Sequence, residues 1–229
     1  MKLLITTRAD SGVQEYADIS HPIFKDYAEK VGADFMVLDH ESGCTEGNGR
    51  WHYRILKHGE LHDEYDRILH LDTDLLLNPN CPNIFDAVEY NNIGTVLEDV
   101  GSRKPDRHHR IFAAQQQFGD IGWKEEYINT GVFVTSKCHK EIYQTIDEQY
   151  WLGYGQDDVH LGYLIKKNGF NVQNLGYRFN HMTMFSEAWN GMPNRFHSHI
   201  IHYAGSGIFE ANASNATEQM KLDYKKLYE

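Results

Sequence analysis

Cysteine is scarce in this chain, and what there is forms no pattern. Its 229 residues hold Cys44, Cys81 and Cys138, odd in number, widely separated and without a CxxC spacing. Neither a disulfide framework nor a zinc ribbon is indicated, and a reducing, cytoplasmic setting fits. Basic charge is also short. Against 33 Asp and Glu stand 22 Lys and Arg, a formal net charge of −11, which argues against a nucleic-acid binder needing a broad basic face. No long hydrophobic run is present: Leu3-Leu4-Ile5 is broken by Thr6, Thr7 and Arg8, too soon for a signal-peptide core or a membrane span. No internal repeat or low-complexity tract stands out. Asn212-Ala213-Ser214 and Asn215-Ala216-Thr217 match the N-glycosylation pattern, but that pattern matters only in a secretory pathway, and the stretch reads as a polar linker. The length suits one α/β domain over residues 1–229, with 206–229 as a helical tail.

What is present alternates between strand and helix patterns. Residues 2–7 read as a buried first strand, followed by a polar turn through Asp10-Ser11-Gly12. His21-Pro22 opens a helix in which Phe24, Tyr27, Ala28 and Val31 recur at three and four, closed by Gly32. Residues 34–38 form a second strand, 43–49 a glycine-rich loop, and 53–61 a helix that leads to the strand ending at Asp72. Further strands are expected at 93–97, 127–135, 170–175 and 199–203, and helices at 138–150 and 157–167. Residues 98–110, with Gly101 and Pro105, read as a charged loop. The alternation predicts a mainly parallel sheet with helices on both faces and ligands at the carboxyl ends of its strands. Aromatics at 13% suggest a cleft with flat walls.

The chemistry concentrates where Leu69-His70-Leu71 runs into Asp72-Thr73-Asp74 and then Leu75-Leu76-Leu77. Carboxylates at i and i+2 share one face of a strand end. So close together they repel, and a divalent cation relieves that repulsion. His202, at the end of the last strand and shortly before Gly205, offers a nitrogen. Two carboxylates, one imidazole and the oxygens of a diphosphate complete an octahedral shell, in which nitrogen favours Mn²⁺ over Mg²⁺. His108 and His109 are rival ligands. Arg54 and Lys57, three apart, share a helix face from which one can reach a phosphate or a sugar hydroxyl. Asn129-Thr130-Gly131 interrupts its strand with small polar groups, as where a backbone approaches a ligand. Gln156-Asp157-Asp158 opens a helix after Gly155; its acids serve as an N-cap or dipole partner, or as a general base among sugar hydroxyls.

Taken in order, Arg54-Ile55-Leu56-Lys57, Tyr65-Asp66-Arg67-Ile68-Leu69-His70-Leu71-Asp72-Thr73-Asp74, Ile128-Asn129-Thr130-Gly131-Val132-Phe133, Gln156-Asp157-Asp158 and His202-Tyr203-Ala204-Gly205 resemble the landmarks of GT-A glycosyltransferases. Within that fold they resemble glycosyltransferase family 8, the glycogenin and lipopolysaccharide galactosyltransferase group. The resemblance implies a GT-A, Rossmann-like fold and transfer of a hexose from a UDP-sugar to a glycan or other hydroxyl acceptor, with retention. It implies Asp72, Asp74 and His202 as ligands of Mn²⁺, with Mg²⁺ as the alternative. It further implies Arg54, Lys57, Thr73 and Gly205 around the donor, Asn129 and Gly131 beside the sugar, and Gln156 on the reacting face with Asp157 and Asp158. Thr6, Thr7, Arg8 and Asp10 would meet the nucleoside.

Two positions depart from the family pattern. Gly155 stands where an Asp is usual, and Ile208 where a Lys is usual, which would leave the diphosphate to Arg54, Lys57, Arg103, Lys104, Arg107 or Arg110. Residues 98–110 and 112–123, with Trp189 and Tyr177, are the expected acceptor wall. A nucleotidyltransferase is the rival enzyme reading, but it wants a glycine-rich basic loop after the first strand, and residues 6–12 hold one glycine and one arginine. A non-catalytic carbohydrate-binding relative is the third.

Overall fold

Alternation in the first strand decides which way the sheet faces. In β1 (Leu3–Arg8) Ile5 joins one apolar cluster and Leu4 another, because successive side chains of a strand point to opposite faces. The structure, a computed structural model, describes residues 1–46, 50–188, 193–205 and 207–229. After β1 come α1 (Gln14–Val31), β2 (Asp34–Leu38), α2 (His58–Leu61), β3 (Arg67–Leu71), β4 (Leu75–Leu77), β5 (Asn92–Leu97), α3 (Lys104–Phe118), β6 (Ile128–Ser136), α4 (Gln156–Lys167), β7 (Asn171–Asn174), α5 (Thr183–Ala188), β8 (Ile200–His202) and α6 (Ala216–Tyr228).

Six strands form one sheet in the order β2-β1-β3-β6-β5-β7. It is mainly parallel: β6 runs against both of its neighbours, and the remaining pairings are parallel. Strands β4 and β8 pair antiparallel as a separate small sheet. On one face Ile5, Leu69, Leu71, Val132 and Val134 pack with Phe24, Tyr27 and Ala28 of α1 and Met220 of α6. On the other, Ile128 and Phe133 pack with Ile111 and Ala114 of α3 and with Val159 and Leu161 of α4. Helices therefore cover both faces, as the alternation predicts. Among the described residues no helix is long and apolar enough to cross a membrane.

Several expected boundaries move. Helix α1 begins at Gln14, not His21, and carries Pro22 inside it; the proline ring removes one backbone donor, and Asp18, four residues back, lies on the exposed side. Its end is as expected, with Gly32 at φ 70° donating to the Ala28 and Glu29 carbonyls. Residues 50–57 wind as a 3₁₀ helix ahead of the short α2. The expected loop 98–110 instead holds a 3₁₀ turn and the first half of α3, started by Pro105 in its first turn. The expected helix 138–150 is a 3₁₀ turn over Lys137–Ile142, after which Asp147 and Glu148 turn left-handed at φ 48° and 63°. Among the described residues of the expected tail, Ala216–Tyr228 is the helical part. Trp189 and residues 47–49 of the glycine-rich loop lie outside the described residues.

Helix α6 is fastened by buried polar groups. Arg195 forks onto Asp223, with Nε to Oδ2 and Nη2 to Oδ1 both 2.7 Å. Tyr203 Oη donates to the same carboxylate at 2.8 Å, and Tyr228 Oη donates to the carbonyl of Leu77 in β4. Breaking a buried ion pair by removing one partner strands the other charge. Asp223→Ala is expected to lower unfolding stability by about 3–5 kcal/mol, measured by urea denaturation against wild type.

Candidate functional site

The two acids are placed by pairing on both sides of their turn. Strand β3 runs antiparallel to β6 with Leu71 opposite Val132, and the next step is a hydrogen bond from Asp72 N to Gly131 O of 2.9 Å. Strand β4 pairs with β8, Leu75 opposite His202, and Tyr203 N donates to Asp74 O at 3.0 Å. Asp72 is thus tied to the large sheet and Asp74 to the small one. The result brings one ligand atom each of Asp72, Asp74 and His202 within 4.8 Å of one another. His202 Nε2 lies 3.2 Å from Asp74 Oδ1.

These residues fit a divalent cation. Two carboxylate oxygens and an imidazole nitrogen are donors suited to Mn²⁺, and Gly131 leaves the space beneath them clear. A Cβ there would lie 2.7 Å from His202 Cε1, 2.9 Å from Asn129 Oδ1 and 3.0 Å from Asp72 Oδ2. Burial pushes the His202 imidazole toward neutrality, but Asp74 and Asp72 outweigh it and raise its pKa. Burial likewise opposes the charge on Asp72, yet Arg8, with His70 and His202, holds that carboxyl well below the usual range.

Arg8 links the acids to the start of α4. Its Nη2 donates to Asp72, and its Nη1 donates to Asp157 Oδ2 at 2.6 Å and to the His52 carbonyl at 2.9 Å. Asp157 also accepts from Thr130 Oγ1 at 2.9 Å and lies 3.2 Å from His52 Nδ1. Burial disfavours its charge, but Arg8 and His52 more than offset that and lower its pKa. Asp158 Oδ1 accepts from Thr130 N at 2.8 Å and lies 2.9 Å from Thr130 Oγ1, whose single hydrogen the two acids share. Among the described residues Asp158 has no cation to match, and burial together with Asp157 and Glu98 raises its pKa well above the carboxylate norm. Gln156 follows with φ 21° after Gly155 at φ 85°. Such backbone values are uncommon outside glycine and gather at functional positions.

A cleft of about 160 Å³ opens beside the acids, lined among others by Arg8, Asp10, Trp51, Arg54, Thr73 and Asp74. Not every expected donor residue reaches it. Thr6 is fully buried, its hydroxyl held by His58 Nε2 at 2.8 Å and His70 Nδ1 at 3.0 Å, so it faces the interior rather than a nucleoside. Thr7 is equally buried, 3.3 Å from the Thr73 hydroxyl, which in turn donates to the Arg8 carbonyl; the pair pins β1 to the acidic turn. Arg54 lines the cleft while its Nε and Nη1 hold the carbonyls of His40 and Ala9, each at 2.7 Å. Lys57 points away and pairs with Glu60 at the surface. Gly205 makes the turn after β8 at φ 66°. The Asn129 side chain is engaged with Glu98, Gly131 and Asn180. His108 lies 3.3 Å from Asp99 on α3, and His109 is exposed; neither joins the acids. Arg107 is buried on Glu98 and Arg110 pairs with Asp106, while Tyr177 stacks edge-on against His181.

Sequence reasoning missed Asn180, Glu98, His70, His52 and Trp51. His70 carried a usable signal, since residue i−2 from Asp72 shares its face of the strand; its Nε2 lies 3.4 Å from Asp72 Oδ1. Asn180 carried none, being far from the acids in sequence.

Gly131→Ala is expected to weaken Mn²⁺ binding by about 10–100-fold, the scale at which displaced ligand surroundings act, while leaving the far-UV circular dichroism spectrum unchanged. Unaltered Mn²⁺ affinity by calorimetry would show that the three ligands do not meet over Gly131.

No protein-family model and no curated protein matches the sequence. Solved structures do match. A glycosyltransferase involved in glycosylation of the major capsid of PBCV-1 superposes with a TM-score of 0.63 at 16% identity, over 97% of this chain and 100% of that one. The galactosyltransferase LgtC, solved with donor and acceptor sugar analogues, gives 0.63 at 19% identity, over 99% and 96%. Mouse xyloside xylosyltransferase 1 gives 0.51 at 13% identity, over 88% and 96%. At these identities the likeness is one of architecture: this chain has the GT-A fold that these glycosyltransferases share.

Proposed function

We propose that this chain is a cytoplasmic, Mn²⁺-dependent glycosyltransferase that moves a hexose from a UDP-sugar to a hydroxyl of a glycan or other acceptor, with retention of configuration. Mg²⁺ is the alternative ion. The observation that carries the reading is the convergence of Asp72, Asp74 and His202 at the carboxyl end of β3, beside a cleft lined by Arg8, Trp51 and Arg54. A divalent ion held there neutralises the charge developing on a departing diphosphate, worth several kcal/mol.

The chain's own residues supply position and exclusion of water. Trp51 is 43% exposed and offers a flat face to a nucleobase. Arg54, buried and bonded to two backbone carbonyls, fixes the walls where β1 and β2 end. The backbone of Gly131 lets a sugar approach without a side chain in the way. Gln156 presents a neutral amide at the head of α4. Retention is favoured by the state of the acids: inversion needs a carboxylate free to take the acceptor's proton, whereas Asp157 is held by Arg8 and the Thr130 hydroxyl, and Asp158 by the Thr130 N–H. A nucleotidyltransferase is disfavoured because Arg8, the one arginine of residues 6–12, is bound to two carboxylates.

Two experiments test the proposal. Incubation with a panel of UDP-sugars and Mn²⁺ is expected to show slow hydrolysis of one donor, and Asp74→Asn is expected to abolish Mn²⁺-dependent binding of that donor in calorimetry without unfolding the chain. Absence of donor binding by the wild type would sink the transferase reading, and turnover dependent on pyrophosphate would favour the nucleotidyltransferase. Once an acceptor is found, proton NMR of the product is expected to show the donor's anomeric configuration; the opposite anomer would place a base at Asp157 or Asp158.

A further inference from the structure

Behind His202 runs a chain of hydrogen bonds whose direction is fixed by groups that cannot reverse. At one point stands the backbone N–H of Gly131, which can only donate, 3.0 Å from Asn129 Oδ1. At the far end stands the Glu98 carboxylate, held by Arg107, whose Nε lies 2.6 Å from Oε2; a carboxylate paired with a guanidinium only accepts. The Asn129 amide therefore fits one way round, its oxygen toward Gly131 and its NH₂ toward Glu98 Oε1 at 2.6 Å.

That orientation propagates. The Asn129 oxygen also lies 2.7 Å from Asn180, so Asn180 must present its NH₂ there. The other atom of the Asn180 amide, its oxygen, then faces His202 Nδ1 at 2.7 Å, and Nδ1 must carry a hydrogen. Nε2, next to Asp74, is left as the nitrogen that can ligate. Arg107, Glu98, Asn129, Asn180 and His202 are all at least nine-tenths buried, so water is poorly placed to substitute for any member.

We infer that Asn180 is a positioning residue that presents His202 to a divalent cation through Nε2, its own orientation being set through Asn129 by Gly131 and the Glu98–Arg107 pair. The inference rests on the reading of Asp72, Asp74 and His202 as a cation site and extends it to five residues outside the ligand set. Outer partners of a metal-bound imidazole fix its tautomer and ring angle, and their loss weakens the metal about 10–100-fold. The nitrogen is also what separates Mn²⁺ from Mg²⁺ in such a site.

The test uses the full chain. Mn²⁺ binding is followed by the paramagnetic resonance of the free ion and Mg²⁺ by competition, in wild type, Asn180→Ala, His202→Ala and the double variant. Asn180→Ala is expected to lose about 10–100-fold in Mn²⁺ affinity, to bring the Mn²⁺/Mg²⁺ preference down toward that of His202→Ala, and to add nothing further when His202 is already absent. A general loss of stability would leave the preference intact and add to the His202 effect, which would overturn the inference. A measurement that needs no Asn180 variant is the ¹⁵N spectrum of the wild-type imidazole rings, with His202 assigned by its disappearance in His202→Ala. A hydrogen on Nδ1 is expected whether the ring is neutral or charged, and a neutral ring protonated at Nε2 alone would refute the relay. A wild type that binds neither ion removes the cation site and this inference with it, whereas a wild type that binds Mn²⁺ with Asn180→Ala unaffected removes the inference alone.

Discussion

Two backbone hydrogen bonds govern the site: Asp72 N–H to Gly131 O, and Tyr203 N–H to Asp74 O. Each joins one end of a three-residue turn to a different sheet. Because side chains alternate along a strand, these bonds set which way both carboxylates point and bring His202 alongside Asp74. A one-residue slip in either pairing would turn a whole row of side chains to the other face. In β3 the apolar register prevents it: Leu69 and Leu71 belong to the cluster under α1 and Ile68 to another, and a slip would exchange them. Chemistry at the acids is therefore held in place by hydrophobic packing several residues away.

Charge is distributed with equal economy. Asp72 and Asp157 share Arg8, and Glu98 has Arg107. Among the described residues Asp158 has no such partner, and burial together with Asp157 and Glu98 raises its pKa. Asp74 faces His202. The cleft is thus short of positive charge, in a chain whose formal net charge is −11, and a divalent ion is the simplest remedy for close carboxylates. Each buried pair is also a point of fragility, since removing one member leaves an uncompensated charge in a low-dielectric setting.

Local patterns carried much of this into the sequence. The strand before Asp72, the triple leucine after Asp74 and the capping Gly32 were readable because period two, flanking carboxylates and left-handed caps are local properties. What stayed hidden depends on partners distant along the chain. Arg107 counted as a loop charge because its partner Glu98 makes it a buried group of α3, yet Pro105 in the first turn had announced that helix. Thr6 and Arg8 belong to the same strand end, but only the fold shows that Thr6 is closed in by His58 and His70 while Arg8 reaches Asp72 and Asp157. Asn180 gives no local sign at all; it matters because the chain returns past β6 on its way to β8.

The two departures from the family pattern have different physical origins. Gly155 cannot carry a side chain: its backbone sits at φ 85°, and an added Cβ would collide with Tyr127 Oη and lie 2.9 Å from Val159 Cγ2. The space an acid would need there is filled by Tyr127, just before β6, and by α4, so the glycine follows from the packing of a buried tyrosine. Ile208 is different, being 37% exposed in the irregular segment after β8, where partial exposure leaves a long cationic side chain room to reach water. Arg8 and Arg54 are the two buried arginines that line the cleft. Arg54 is engaged with backbone carbonyls, which leaves Arg8, at the end of β1, as the cation that the acids themselves hold.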